Sequence, residues 1–141
     1  MGDKDYSATP LWKKLGIKAC ARVAIIGAPG GFRAQLEPLP EAVRVSPRAV
    51  GSLDVIIAFE TRASRIAKRF GSLRRVLDPA GGLWIAYPKR SSAIKADLTF
   101  ARVQEAGLAA GLVDNKSCAI DADWSGVRFV WRLKDRPPTR R

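Results

Sequence analysis

The sequence contains no histidine, and this absence excludes several classes of active site. Ser-His-Asp triads, Cys-His dyads and histidine-ligated metal sites all need an imidazole. The two cysteines, Cys20 and Cys118, cannot form a structural zinc site alone. Each lies next to an apolar run, so we expect two small buried hydrophobic residues rather than a disulfide. The residue types therefore predict no metal site, and we assign no catalytic residue from them.

Long apolar runs are missing as well. No stretch approaches the roughly 20 apolar residues of a membrane-spanning helix, and residues 1–7 hold three charged residues instead of the apolar run of an export signal. These absences predict a cytoplasmic protein without a membrane partner. The length of 141 residues and the 47% hydrophobic content suffice for one core. We therefore expect residues 1–134 to form one domain and residues 135–141 to form a basic disordered tail.

Negative charge is scarce, since 13 Asp and Glu residues oppose 25 Lys and Arg residues and the net charge is +12. Residues 134–141 supply +3 of this charge, so most of the excess belongs to the domain. Cationic surfaces attract polyanions through counterion release and steer anionic ligands. A small anionic ligand or nucleic acid is therefore a candidate partner, although many basic proteins bind no nucleic acid. A protein partner and a homo-oligomer are left open.

Apolar runs separated by glycine and proline predict an α/β chain. Strands are predicted at 21–27, 43–45, 53–59, 83–87, 112–120 and 127–133. Helices are predicted at 10–15 after Thr9, at 32–37, from Thr61 to Leu77, and from Asp97 or Thr99 to Ala106. Thr9 and Thr61 are the expected N-caps, Gly16 and Gly107 the expected stops, and 78–82 the turn that leads into the fourth strand.

The strand at 53–59, the helix after it and the strand at 83–87 predict a right-handed βαβ unit. Apolar and other residues alternate along the last strand, which is typical of an antiparallel strand with unequal faces. We therefore predict the sheet order second, first, third, fourth, sixth, fifth, with the sixth strand antiparallel to its neighbours. Trp84 and Trp131 are expected in the core, whereas Trp124 is either an exposed contact residue or a plug.

Three segments resemble motifs of the class I S-adenosylmethionine methyltransferases. They are 23–32 (Val-Ala-Ile-Ile-Gly-Ala-Pro-Gly-Gly-Phe), 53–57 (Leu-Asp-Val-Ile-Ile) and 77–85 (Leu-Asp-Pro-Ala-Gly-Gly-Leu-Trp-Ile). The resemblance implies a Rossmann-like α/β fold, with a mostly parallel sheet and a terminal antiparallel strand, in a truncated methyltransferase topology. It also implies S-adenosylmethionine as the cofactor to consider.

Four further segments resemble a bacterial family of small proteins that is known only as a domain of unknown function. These segments are 6–11, 88–89, 111–114 and 123–126, and the resemblance extends over nearly the whole chain. It implies a bacterial protein of the same fold but assigns no reaction.

The end of the second strand departs from the methyltransferase pattern. In that family an acidic residue at this place accepts hydrogen bonds from the ribose hydroxyls, whereas this chain reads Val-Ser-Pro-Arg at 45–48. Arg48 cannot replace a carboxylate without reversing the donor and acceptor roles. The residues therefore lead us to expect no cofactor, with S-adenosylmethionine kept as the alternative that the resemblance implies.

Ligands of open parallel sheets lie beyond the carboxyl ends of the strands. The residues expected at this edge as a site for an anion or nucleotide are Gly27, Ala28, Pro29, Gly30, Gly31, Thr61, Arg62, Lys89 and Arg90. Free amides at the helix start near Thr61 and the cations Arg62 and Lys89 favour a small anion there. The alternative is that the glycines only permit a tight turn and the cations are solvated.

Glu60 is the one carboxylate expected at this edge. It is either a general base or a glutamate that only satisfies the helix start. The sequence thus favours a non-catalytic, methyltransferase-like binding module with a basic edge for an anionic ligand or nucleic acid. The alternative is an S-adenosylmethionine-dependent methyltransferase with an unusual cofactor pocket.

Overall fold

The computed structural model describes residues 9–136 and residue 138. The strands are β1 (Arg22–Ile26), β2 (Arg44–Ser46), β3 (Leu53–Phe59), β4 (Leu77–Pro88), β5 (Leu112–Ala119) and β6 (Trp124–Trp131). The helices are α1 (Leu11–Lys14), α2 (Phe32–Gln35), α3 (Ala63–Arg74) and α4 (Phe100–Ala109), followed by a 3₁₀ turn at Leu133–Asp135. None of the described helices has the length and apolar character of a membrane span.

The sheet has the order β2-β1-β3-β4-β6-β5. The strands β2, β1, β3 and β4 are parallel, and β6 is antiparallel to both β4 and β5. This confirms the predicted α/β class, strand order and terminal antiparallel pair. At one edge β2 is only three residues long, and at the other edge the pairing of β5 shifts register between Asp114 and Lys116.

Both faces of the sheet are buried. Successive residues of a strand point to opposite faces, and consecutive residues of β3 are buried. Ile56 packs on the side of α3 and α4, and Ile57 packs on the side of α1 and α2. On the second side Trp84 is fully buried, and its Nε1–H donates to the carbonyl oxygen of Leu15 (2.9 Å). Trp131 is also buried, as predicted. Trp124 is a plug, since it is 7% exposed and stacks edge-on against Phe59.

Helix α3 buries one apolar face, but its expected cap is wrong. Ile66, Phe70 and Leu73 are its buried residues. The N-cap position is Arg62 rather than Thr61, and its side chain makes no capping bond. The cap comes instead from a distant carboxylate, because Ala63 N–H donates to Asp97 Oδ1 (2.7 Å).

Helix α4 corrects a second boundary. Thr99 is its N-cap and accepts from Arg102 N–H (3.3 Å). The predicted stop at Gly107 is wrong, since the helix continues to Ala109 and the left-handed residue after it is Gly111, with φ +91°. Gly107 is buried, and a Cβ built on it would lie 2.2 Å from the Phe129 ring. This glycine therefore serves close packing of a helix on a strand.

Smaller differences occur near the start of the chain and at β4. Helix α1 begins after Pro10 and carries no side-chain capping bond from Thr9, although Gly16 has the predicted left-handed φ of +81°. Helix α3 ends at Arg74, before its predicted end at Leu77, and strand β4 begins at Leu77 and includes the segment 78–82 that was predicted as a turn. The pairing with β3 jumps from Leu77 to Gly82, so the expected turn is an irregular stretch of the strand.

The two cysteines are free, and only one of them is partly buried. Cys20 is exposed, which contradicts its expected place in the core, because it lies in the turn before β1 with φ +67°. Cys118 is half-buried, and burial raises the pKa of its thiol. In the predicted tail, residues 137 and 139–141 lie outside the described residues, so its disorder stays a prediction.

Candidate ligand site at the carboxyl edge

The carboxyl ends of three neighbouring strands lie at one edge of the sheet. Ile26 of β1 pairs with Ala58 of β3, and Ala58 pairs with Ile85 of β4. Because these strands are parallel and in register, the segments that leave them emerge at the same edge. The structure therefore brings 27–31, 60–62 and 89–90 to one edge, as the sequence predicted. Their role in ligand binding stays a prediction.

The loop after β1 needs glycine at two positions. Gly27 has φ +68° and Gly31 has φ +89°, both in the left-handed region that disfavours other residues. A Cβ on Gly27 would also lie 3.2 Å from the carbonyl oxygen of Phe59, so β1 turns away close to the end of β3. Ala28 and Gly30 are exposed, and the loop backbone is open to an approaching ligand.

Glu60, directly after β3, is a satisfied structural carboxylate. It is 4% exposed, and its Oε2 accepts from Thr61 N–H (2.9 Å) and Arg62 N–H (3.1 Å). Its Oε1 lies 3.2 Å from a guanidinium nitrogen of Arg69. Of the two alternatives for Glu60, the helix-flanking glutamate is confirmed. Both of its oxygens are occupied by donors of the protein, whereas a general base needs an oxygen within reach of the substrate.

The expected free amides at the start of α3 are not free. Thr61 and Arg62 donate to Glu60, and Ala63 donates to Asp97. An anion would have to displace a carboxylate that already neutralises the partial positive charge of this helix end. The expectation of free amides at Thr61 is therefore contradicted, because the sequence does not reveal that Asp97 folds back onto α3. An anion site at this place stays a prediction.

The end of β2 offers no carboxylate. The Ser46 hydroxyl donates to the carbonyl oxygen of Arg48 (3.1 Å) and accepts from Arg48 N–H (3.0 Å), which closes a tight local turn. The Arg48 side chain is exposed. A cavity of about 530 Å³ lies between this turn, Ile26 of β1 and helix α3. Its lining combines apolar residues with Glu60 and four cations, Arg48, Arg65, Lys68 and Arg69.

A larger cavity of about 890 Å³ lies beside the end of β4, and we call it the β4 cavity. Its lining includes the cations Lys89, Arg90 and Lys95 and the aromatic residues Tyr87 and Phe100. Of the predicted site residues, Lys89 and Arg90 line it, whereas 27–31, Thr61 and Arg62 line neither cavity. Sequence reasoning missed Lys95, because the irregular segment 91–99 shows no periodic pattern that would place it. It also missed Phe100, which follows this segment as the first residue of α4.

No family model and no curated protein matches this chain. Among solved structures, it is similar to an S-adenosylmethionine-dependent methyltransferase from Aquifex aeolicus. The two share 15% identity and a TM-score of 0.63, over 84% of this chain and 86% of that one.

Two further solved structures share the fold. For the magnesium protoporphyrin IX methyltransferase from Synechocystis, with bound S-adenosylhomocysteine, identity is 9% and the TM-score 0.58, over 86% of this chain and 78% of that one. For Aeropyrum pernix fibrillarin, with natively bound S-adenosylmethionine, identity is 15% and the TM-score is 0.57, over 86% of this chain and 69% of that one. Likeness at these identities establishes a Rossmann-like fold of the methyltransferase type.

Proposed function

We propose that this chain, which has the Rossmann-like fold of S-adenosylmethionine-dependent methyltransferases, binds that cofactor between the 27–31 loop and the turn after β2 and is a methyltransferase with an unusual cofactor pocket. The observation that carries the proposal is the retained strand order and glycine-rich loop of the cofactor half of the fold. The strands β2, β1, β3 and β4 keep their parallel order, and a glycine-rich loop with two left-handed glycines leaves the end of β1. Solved structures of this fold hold S-adenosylmethionine or S-adenosylhomocysteine.

The residues present offer this cofactor an open loop backbone but no carboxylate for its ribose hydroxyls. The exposed 27–31 loop leaves its backbone open, as close contact with a ligand requires. The turn after β2 carries Arg48 instead of a ribose-binding carboxylate, so the usual contact to the ribose hydroxyls cannot form. This is why the pocket that we propose is unusual.

The bound cofactor would supply an electrophilic methyl group. Glu60 does not serve as the base of that reaction in our proposal, because its two oxygens hold Thr61, Arg62 and Arg69. Its role is to fix the start of α3 beside the loop.

The first prediction is that purified protein binds S-adenosylmethionine or S-adenosylhomocysteine with micromolar affinity in isothermal titration. Gly30→Ala should weaken this binding by about tenfold or more, equivalent to about 1.4 kcal/mol, because a methyl group would project from a backbone that the ligand approaches. The fold should tolerate the change, since Gly30 has an ordinary φ and a Cβ there meets nothing within 4 Å.

Gly71→Ala is the matched control. Gly71 is an exposed position of α3 where a Cβ also meets nothing within 4 Å, and it lies outside the loop. The control should bind both ligands like the parent. Absence of measurable heat with either ligand at millimolar concentration would refute the proposal.

A second candidate function is the non-catalytic binding module for nucleic acid, favoured by the cations of the two cavities. This candidate predicts weakly sequence-dependent binding to single-stranded or duplex nucleic acid. Affinity should fall at least about tenfold between about 50 mM and 200 mM salt, because phosphate contacts release counterions. Fluorescence anisotropy with labelled RNA and DNA measures this dependence. No binding to either at low salt would eliminate the candidate.

A further inference from the structure

The described lining of the β4 cavity carries three cations and no carboxylate. Lys89, Arg90 and Lys95 line it, and no Asp or Glu does. Within residues 9–136 and residue 138, no ion pair is recorded for any of these three cations. The N-cap Thr99 and the first residue of α4, Phe100, also line the cavity, and a helix start adds partial positive charge. The electrostatics of the cavity therefore favour an anion.

The segment that carries these cations is fixed at both ends. Near its start, Lys89 N–H donates to the carbonyl oxygen of Asp123 (2.8 Å), and the Ser92 hydroxyl donates to Asp123 Oδ1 (2.9 Å). Near its end, Asp97 N–H donates to the carbonyl oxygen of Thr61 (3.1 Å). Asp97 also caps α3. The cations thus project from a loop that is held in place before a ligand arrives, which lowers the entropy cost of binding.

The cavity also offers apolar and aromatic surface. Phe100 is 42% exposed and Ile94 is 36% exposed, although both are large hydrophobic residues. Tyr87 is partly buried and lines the cavity with its ring and a phenolic hydroxyl that can donate a hydrogen bond. Exposed apolar side chains beside a cationic group suit a ligand with a planar ring next to its negative charge.

We propose that the β4 cavity binds a nucleoside monophosphate, with the phosphate held by Lys89, Arg90 and Lys95 and the base lying against Phe100 and Tyr87. Phosphate suits the cations because each contact is a charge-assisted hydrogen bond. The proposed cofactor contacts, in the 27–31 loop and the turn after β2, do not line this cavity. The site is therefore separate from the proposed cofactor site and goes beyond the proposed function.

Isothermal titration with the four ribonucleoside monophosphates, inorganic phosphate and adenosine tests this inference. At least one monophosphate should bind at least about ten times more tightly than phosphate or adenosine. Only a monophosphate contacts both the cations and the aromatic residues of the cavity. The double variant Lys89→Ala/Lys95→Ala should weaken monophosphate binding by about tenfold or more. Phe100→Ala should weaken monophosphate binding while leaving phosphate binding unchanged.

The matched control is the double variant Lys13→Ala/Lys18→Ala, which removes the same charge from exposed positions outside the cavity. It should retain monophosphate affinity, and unchanged melting temperatures would show that both double variants fold. Equal losses in the two double variants would overturn the site, as would a failure of every monophosphate to bind more tightly than phosphate. Parallel titration with S-adenosylmethionine separates the proposals, because the Lys89 and Lys95 changes should leave cofactor affinity intact.

Discussion

Gly107→Ala is expected to destabilise the protein by about 1–3 kcal/mol, although alanine is the better helix former. The added Cβ would lie 2.2 Å from one ring carbon of Phe129 and 2.6 Å from another. Phe129 is fully buried and stacks edge-on against Phe70, with ring centroids 4.8 Å apart, so the ring cannot move without disturbing a second ring. Chemical denaturation followed by circular dichroism measures the loss.

Gly71→Ala provides the control for helix propensity, because Gly71 lies in α3 with open space around it. This variant should gain about 0.5–1 kcal/mol. A double-mutant cycle adds Phe129→Leu, which removes the ring that the new methyl group meets. Gly107→Ala should cost less in that background than in the parent. An equal cost in both backgrounds would contradict the packing role that we assign to Gly107.

Glu60→Ala is expected to cost about 2–3 kcal/mol of unfolding free energy. The change removes the acceptor of two backbone amides and the partner of Arg69 at a position that is 4% exposed. The cost stays below that of a fully buried pair because the Arg69 side chain is 29% exposed and can be rehydrated. Thermal and urea denaturation at neutral pH give the value.

The charge-matched control is Glu105→Ala, at an exposed position of α4, which should change stability by less than about 0.5 kcal/mol. Arg69→Ala completes a cycle with Glu60→Ala, and we expect a favourable coupling between the two side chains. A Glu60→Ala variant as stable as the Glu105→Ala variant would contradict the structural role of Glu60. It would also restore Glu60 as a candidate for chemistry.

The strand order could be predicted because it depends on patterns within short stretches of sequence. Apolar runs at β1, β3 and β4 mark buried parallel strands, and the handedness of the βαβ unit restricts how they are arranged. Helix boundaries were harder where distant residues determine them. Gly107 lies inside α4 because its missing side chain admits Phe129, and no local pattern distinguishes such a glycine from a helix stop.

The candidate site was predictable only in its outline. Lys89 could be placed at the edge because it follows a clear strand, but Lys95 could not, since its position depends on how the loop is fixed. The bonds from Ser92 to Asp123 and from Asp97 to α3 connect residues more than 30 positions apart. Asp97 was considered as a cap for α4 and in fact caps α3. Capping preferences identify the residue type but not which helix it serves.

The two outer strands of the sheet affect how this protein behaves at high concentration. An unpaired strand edge is a template for another chain, and long, flat edges promote aggregation. Strand β2 offers only three residues, and β5 is interrupted between Asp114 and Lys116. The Lys116 ammonium also donates to the carbonyl oxygen of Lys14 (3.2 Å), which holds a charged side chain beside that edge. Strand addition is thus disfavoured at both ends of the sheet, so the apolar runs of β1, β3 and β4 remain protected from intermolecular pairing while the protein is folded.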